Sequence, residues 1–446
     1  MSSRLDGATV LDVLPISAAQ IQAVLLIAAT VILDGLDNQM LGLAASSLIK
    51  EWGVSRAQLG SVFALGFVGM AVGTLIAGWI GDHSGRRLAL LVGVGLFGLA
   101  TLLMGFATTI VEVAVLKTLA GVGLGGVPGT AAAMISEFVP ARWRTTAVTF
   151  GVVSVSIGGI LGGVAASLIL PGLGWRWLFY IGGAATFAFT AALIVLLPES
   201  PGFLAAQPGR AAELAAMLRR MGHAPILDAP ATMVAAAVPM RDLFSRSLRR
   251  DTAALSVAMF AGMFMIYLMF NWAPTLLTST GFDLASASLG LTSFNLGGTI
   301  GALATSVVII RLGSRAPLVI LAIVGAGVCV MLAVVPIGGR NATAMLIGLA
   351  ALGLSASAAQ SAMFAVGTHV FPTVLRARGL GLMGAAGRIG AIVSAFSGAW
   401  LIGQGSAGFF GALGALMLLN AAGFAAIRRH IPRFVARYEG SGDGRL

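Results

Sequence analysis

Gly78-Trp79-Ile80-Gly81-Asp82-His83-Ser84-Gly85-Arg86-Arg87 is a polar turn between two apolar runs, 58–80 and 88–107. Each run has about the 20 residues that an α-helix needs to cross the hydrocarbon core of a bilayer. The turn has a counterpart later in the chain. A shift of 228 residues lays Gly69, Gly73, Gly85 and Arg87 on Gly297, Gly301, Gly313 and Arg315. A shift of 232 lays Glu137, Pro140, Arg144 and Gly158 on His369, Pro372, Arg376 and Gly390. These matches fall at equivalent helix ends without gaps, which is the pattern of two parallel six-helix repeats.

Composition agrees with membrane spans. Of 446 residues, 58% are hydrophobic and 10% charged, and the mean hydropathy is +0.98, whereas a soluble domain carries roughly 25% charged residues. The apolar runs are continuous and lack the period-two alternation of an outer-membrane barrel. Twelve helices are predicted, at 21–45, 58–80, 88–107, 110–136, 145–170, 177–197, 252–277, 287–310, 317–337, 342–370, 377–400 and 408–427. They divide the chain into a first half at 1–197, a polar linker at 198–250 and a second half with its tail at 251–446. The first run starts near Ile21, passes Asp34 without a small-residue cleavage site, and is expected to be retained.

The formal charge of +11 does not point to nucleic acid, because the basic residues lie between the spans and no soluble basic domain exists to carry them. With both termini on the cytoplasmic side, nearly all Lys and Arg fall inside, seven of them in the linker. Lys50, Arg56, Arg176 and Arg340 fall outside, and Lys117 and Arg388 remain within spans. This is the positive-inside pattern of an inner-membrane protein. Cys329 is the sole cysteine, so no disulfide or cysteine metal site can form within the chain, and no cofactor is expected.

Ionisable residues inside spans mark functional positions, because each costs about 2.5 to 3.5 kcal/mol to insert without partners or water. Asp34-Gly35-Leu36-Asp37 puts two carboxylates at i,i+3 on one face of the first span, with Gly35 leaving room for a close approach. Lys117 in the fourth span lies at a depth similar to that of Asp37, where a charge pair or outward snorkelling are both geometrically open. Arg388 lies near the midplane of the eleventh span; it keeps its proton and so must face an acid, a cavity or an anionic substrate. Gly121-Val-Gly123-Leu-Gly125-Gly126 has the spacing of a dinucleotide loop, but it sits in an apolar span with no strand before it and reads as helix packing. Glu137 and His369 occupy equivalent helix ends, and Asn341-Ala-Thr343 is a bare glycosylation triplet beside a span.

The turn at Gly78–Arg87 resembles the signature G-x-x-x-D-R/K-x-G-R/K-R/K of the major facilitator superfamily, with His83 where that signature has Arg or Lys. Asp34-Gly35-Leu36-Asp37, Lys117 with the glycine run and Pro128, Pro198-Glu-Ser-Pro201, Trp272-x-Pro274-Thr-Leu-Leu, Asn295-Leu-Gly-Gly298 and Gly387-Arg388-Ile-Gly extend the likeness over nearly the whole chain. Together they resemble its aromatic acid:proton symporter family. That resemblance implies an all-α membrane protein of twelve helices in two pseudo-symmetric halves. It implies a transporter, not an enzyme, that imports a small aromatic or related carboxylate with protons by alternating access. Asp34 and Asp37 are then expected to couple protons, and Arg388, Lys117, Asn295 and Tyr267 to meet the substrate, with Phe63, Phe294 and Phe364 as further ring contacts. The gates are expected at Asp82, Gly85, Arg86, Arg87, Glu137, Arg144, His369 and Arg376; in the second-half turn, Ile310 to Arg315, the acid is gone. The expected partners are a small organic anion, protons and the lipid bilayer, with no nucleic acid, and the expected state is a monomer.

Three departures bear on the substrate. Lys117 stands for the family's arginine and lacks its bidentate fork. Asn38 and Gln39 follow the acids where smaller or apolar residues are common, which admits a substrate other than a hydroxybenzoate. Helix five lacks proline among Gly158, Gly159, Gly162 and Gly163, unlike drug/proton antiporters. Transport of a sugar, polyol or drug, or ligand sensing without transport, are the rival readings.

Overall fold

A computed structural model describes residues 16–222, 240–334 and 341–433. Arg4, the loop at Arg340 and the tail residues Arg437 and Arg445 lie outside the described residues. The first six long helices are α1 (Ala18–Trp52), α2 (Arg56–His83), α3 (Arg86–Met104), α4 (Ile110–Phe138), α5 (Ala141–Leu173) and α6 (Trp175–Leu196). Two short helices, α7 (Pro201–Ala206) and α8 (Ala211–Arg220), follow. The second set is α9 (Arg249–Ser279), α10 (Leu284–Leu312), α11 (Arg315–Val334), α12 (Ala342–Val370), α13 (Thr373–Gly403) and α14 (Gly405–Ala426). Twelve of these helices are long and apolar enough to cross a membrane.

Local sequence sets several ends. Ser17 with Gln20 and Ser55 with Gln58 form capping boxes that start α1 and α2. Gly53, at φ +63°, stops α1. Helix α1 runs past the expected end at 45 to Trp52 because its last turn is tied to the start of α6. The Trp175 indole donates to Glu51 at 2.7 Å, Arg176 donates to Glu51 at 2.6 Å, and the Trp52 and Trp175 rings meet edge to face at 5.3 Å.

Each half repeats the same packing: α2 on α4, α1 on α5 and α3 on α6, then α10 on α12, α9 on α13 and α11 on α14. The repeated glycines explain why. A Cβ on Gly69 or Gly73 would strike the carbonyl oxygens of Thr118 or Val122 in α4, and on Gly297 or Gly301 those of Ala350 or Leu354 in α12. Likewise Gly158 lies against Ile32 of α1, and Gly390 against Phe260 of α9. Glycine lets these backbones approach to contact, which is how membrane helices gain packing without a hydrophobic driving force between them.

The halves meet where α5 lies on α10, α2 on α13 and α1 on α9. The described contacts across this seam gather away from the arginine-rich end. They include Ser46 to Thr278 at 2.7 Å, Phe63 against Trp272 at 5.3 Å, Gly60 under the Ala395 carbonyl and Gln39 paired with Asn295. Large apolar side chains such as Leu75, Leu168 and Val195 face outward, while the charged residues of the spans lie inside. This is the distribution a bilayer demands.

Candidate substrate and proton site

Asp34 and Asp37 are 1% and 2% exposed, buried within the bundle on α1. Gly35 between them lets α1 lie directly on the Val155 backbone of α5, so the acids are held by packing on both sides. The two carboxylates differ in environment. Asp37 accepts from Lys117 Nζ at 3.3 Å and from the Thr101 hydroxyl, and Lys117 also reaches the Asp37 carbonyl at 3.4 Å. Lys117 is itself only 7% exposed, so it is paired inward and does not snorkel. Asp34 is buried with an Oδ1 that has no hydrogen-bond partner, and it lies within electrostatic reach of Asp37, Lys117 and Arg388.

Arg388 sits at the middle of α13, half-buried. Its Nη2 donates to the Thr74 hydroxyl of α2 at 2.6 Å, across the seam. Among the described residues no carboxylate lies within ion-pair distance of it. Thr74 is fixed by hydrogen bonds to the Gly125 and Met70 carbonyls. Tyr267 of α9 stacks edge-on to Phe67 at 4.6 Å and lies in the electrostatic field of Arg388 and Asp34. The centre of the molecule thus holds one closed ion pair, one acid with an open oxygen and one cation without an acid.

Asn295 does not face open space here. It exchanges amide hydrogen bonds with Gln39, at 2.8 and 3.2 Å. Phe63 and Phe294 are buried against Trp272 and Phe270, and Phe364 is exposed. The polar residues missed by sequence reasoning are Thr74, Thr101 and the role of Gln39. Threonine is common in spans, and no spacing rule separates a bridging hydroxyl from one bonded to its own helix.

At the arginine-rich end Arg86 pairs with Glu137 of α4, and the same carboxylate accepts from the Ser200 hydroxyl and, at 3.0 Å, from Gly202 N–H. Glu199 accepts from Arg87 N–H at 2.9 Å, and the Arg87 guanidinium reaches the Ile194 carbonyl. Gly85, at φ +107°, makes room for the Glu199 carboxylate. The segment Pro198-Glu-Ser-Pro201 therefore serves as the clasp for the turn after α2. Asp82 is exposed, and Arg144 donates to the Ser136 carbonyl at 2.8 Å.

In the second half the corresponding clasp is built around Ser314, and the turn at Ile310 to Arg315 carries no acid of its own. Ser314 bonds the Ile431 carbonyl at 3.0 Å, Ile431 N–H returns to the Ser314 hydroxyl at 2.9 Å, and that hydroxyl also meets His430 Nδ1 at 3.0 Å. Asp251 accepts from Arg428 N–H at 2.7 Å. Gly313, at φ +78°, faces the Ile431 carbonyl as Gly85 faces Glu199. His369 is exposed at the end of α12, and the half-buried Arg376 keeps a buried Nε without a partner.

Two six-helix bundles around a central charged site define a membrane transporter. The family profile described as Major Facilitator Superfamily matches residues 27–294 and 255–443. The chain is 34% identical to a gallate transporter of Pseudomonas putida over 89% of its own length and 88% of the relative's. It is 32% identical to the 4-hydroxybenzoate transporter PcaK of Pseudomonas aeruginosa, over 90% of each. The solved structure of a D-xylose–proton symporter superposes with a TM-score of 0.70 at 17% identity, covering 91% of this chain and 97% of that one. The chain belongs to the major facilitator superfamily, in the group that holds these aromatic acid transporters, and is a multi-pass membrane protein of a family of transporters, not enzymes.

Proposed function

We propose that this protein imports a small aromatic carboxylate together with protons across the inner membrane, with both termini and the arginine-rich end in the cytoplasm. The observation that carries the reading is that half-buried Arg388 has no acid within ion-pair distance among the described residues while the buried Asp34 carboxylate keeps an open Oδ1. A guanidinium can bond both oxygens of a carboxylate. A proton on Asp34 would meet no competing donor at Oδ1. One proton added with one carboxylate leaves the formal charge of the site unchanged, so both can cross a low-dielectric centre together. Asp37 holds Lys117 and fixes the floor of the site.

Alternating access follows from the seam. The halves touch away from the arginine-rich end, so the contacts of Gln39 with Asn295 and Ser46 with Thr278 form the outer gate. The Glu137 and Glu199 clasp and its second-half counterpart join the cytoplasmic helix ends within each half, which lets each half (1–197 and 251–446, joined by 198–250) move as a unit.

The test is uptake into proteoliposomes. An inward proton gradient should drive accumulation of radiolabelled 4-hydroxybenzoate or benzoate, Arg388→Ala should abolish it, and Arg388→Lys should weaken it strongly. Accumulation of xylose and neither acid, or normal acid affinity in Arg388→Ala, would refute the reading. Reporter fusions within 205–245 should be cytoplasmic and those near Trp175 periplasmic.

A further inference from the structure

Arg388 of the second half donates from Nη2 to the Thr74 hydroxyl of the first, at 2.6 Å. That acceptor is held from behind. The Thr74 proton serves the Gly125 carbonyl of α4 at 2.7 Å, with the Met70 carbonyl of its own helix at 2.9 Å, so the hydroxyl oxygen is left to accept from Arg388. Gly125 reaches this place because it has no Cβ; one built there would strike the Met70 carbonyl oxygen. The glycine run Gly121–Gly126 thus brings α4 close enough to α2 to fix Thr74.

Two features of this bond set it apart from packing shared by the halves. The 228 shift lays Thr74 on Ala302 and the 232 shift lays Arg388 on Ser156, so the mirrored positions offer no cation, and Ala302 has no hydroxyl. The bond is also the innermost of the seam contacts of α2 named here. Gly60, Phe63 and Phe67 meet Ala395, Trp272 and Tyr267 of the second half. Thr74 lies two turns beyond Phe67, about 10 Å nearer the arginine-rich end.

We infer that Thr74 is a positioning residue, which orients the Arg388 guanidinium for the substrate carboxylate only while the two halves are joined on the inner side. One N–H goes to Thr74, and the other donors of the guanidinium remain for both carboxylate oxygens. Held at one corner, the side chain loses less freedom when the acid binds. Parting of the arginine-rich ends draws α2 away from α13 and breaks this bond, so Arg388 loses its orientation on the route by which the acid leaves. Affinity is therefore high for entry from the outer side and low at release.

This inference rests on the carboxylate reading of Arg388 above, and its test separates the two. Binding of 4-hydroxybenzoate and of its uncharged amide to the purified protein is measured by isothermal calorimetry. The wild type should prefer the acid. Thr74→Val should bind the acid about tenfold more weakly and the amide nearly as before, whereas Thr74→Ser, which keeps the hydroxyl, should stay within about twofold of wild type. Thr74→Ala replaces the valine variant if that protein is not monodisperse, with the same expected loss. In membrane vesicles of defined orientation, Thr74→Val should raise the KM for entry from the outer side about tenfold and leave the KM for exit from the cytoplasmic side within about twofold. Unchanged acid affinity without the hydroxyl, an equal loss for acid and amide, the same loss in Thr74→Ser, or an equal rise in both KM values overturns the positioning role while leaving carboxylate recognition by Arg388 intact. Equal binding of acid and amide by the wild type overturns both.

Discussion

Gln39 and Asn295 exchange two amide hydrogen bonds, Asn295 Nδ2 to Gln39 Oε1 at 2.8 Å and Gln39 Nε2 to Asn295 Oδ1 at 3.2 Å, from α1 of one half to α10 of the other. Both side chains are buried, at 0% and 2% exposure. Opening the outer side must break both bonds at once, so the pair should bias the protein toward the closed outer gate. The check uses Ser46→Cys with Thr278→Cys, whose parent hydroxyls lie 2.7 Å apart, in a background where the lone cysteine is removed by Cys329→Ala. Crosslinking should be fast and should stop transport. Adding Gln39→Ala should slow crosslinking severalfold, and an unchanged rate would mean that the amide pair does not hold the gate.

The two acids of α1 should respond differently to neutralisation. Asp37→Asn leaves Lys117 buried without its counter-ion, a loss that costs about 3 to 5 kcal/mol in comparable buried pairs. Asp34→Asn removes no ion pair of the structure and should fold with near-normal thermal stability, lose gradient-driven accumulation and retain substrate exchange. Thermal melting in detergent together with uptake and counterflow assays reads both effects. Asp34→Asn with intact proton-driven accumulation would move the coupling role to another group.

Gly85 holds φ +107° and abuts the Glu199 carboxylate, so Gly85→Ala should be doubly unfavourable: strained backbone and a displaced clasp. Glu199→Gln should weaken the same contact with Arg87 N–H without backbone strain. Initial uptake rates should fall in both, more in Gly85→Ala, while substrate affinity measured by binding stays close to wild type. A large affinity loss with an unchanged rate would contradict a gating role.

The second-half clasp should be sensitive to acid. Burial, with the nearby Arg315 guanidinium adding to it, pushes His430 below its ordinary value of 6.5, against hydrogen bonds to the backbone and the Asp251 charge, which raise it. A depressed histidine favours the neutral form in the fold, so its contribution is complete above pH 6.5 and declines as the pH falls toward the folded value. Hydrogen-exchange protection at residues 427–433, with the intrinsic pH dependence of exchange divided out, should therefore fall as the pH drops below 6.5. In His430→Gln that pH dependence should disappear; its persistence would assign the effect to other groups.

Apolar run length, the 228 and 232 shifts and the arginine distribution were readable along the chain because bilayer thickness and backbone hydrogen bonding act on local sequence. Asp34, Asp37, Lys117 and Arg388 stood out for the same reason: charge within a span is costly and therefore rare. The partners of those charges depend on crossings of helices distant in sequence. Asp37 rather than Asp34 holds Lys117, Arg388 rests on Thr74 instead of an acid, Asn295 is bonded to Gln39, Glu199 receives the turn after α2 and Ser200 bonds Glu137. A span's own residues reveal its cost of insertion, while which side chain relieves that cost is decided by the rotation and depth at which two helices pack, and these exist only in the tertiary structure.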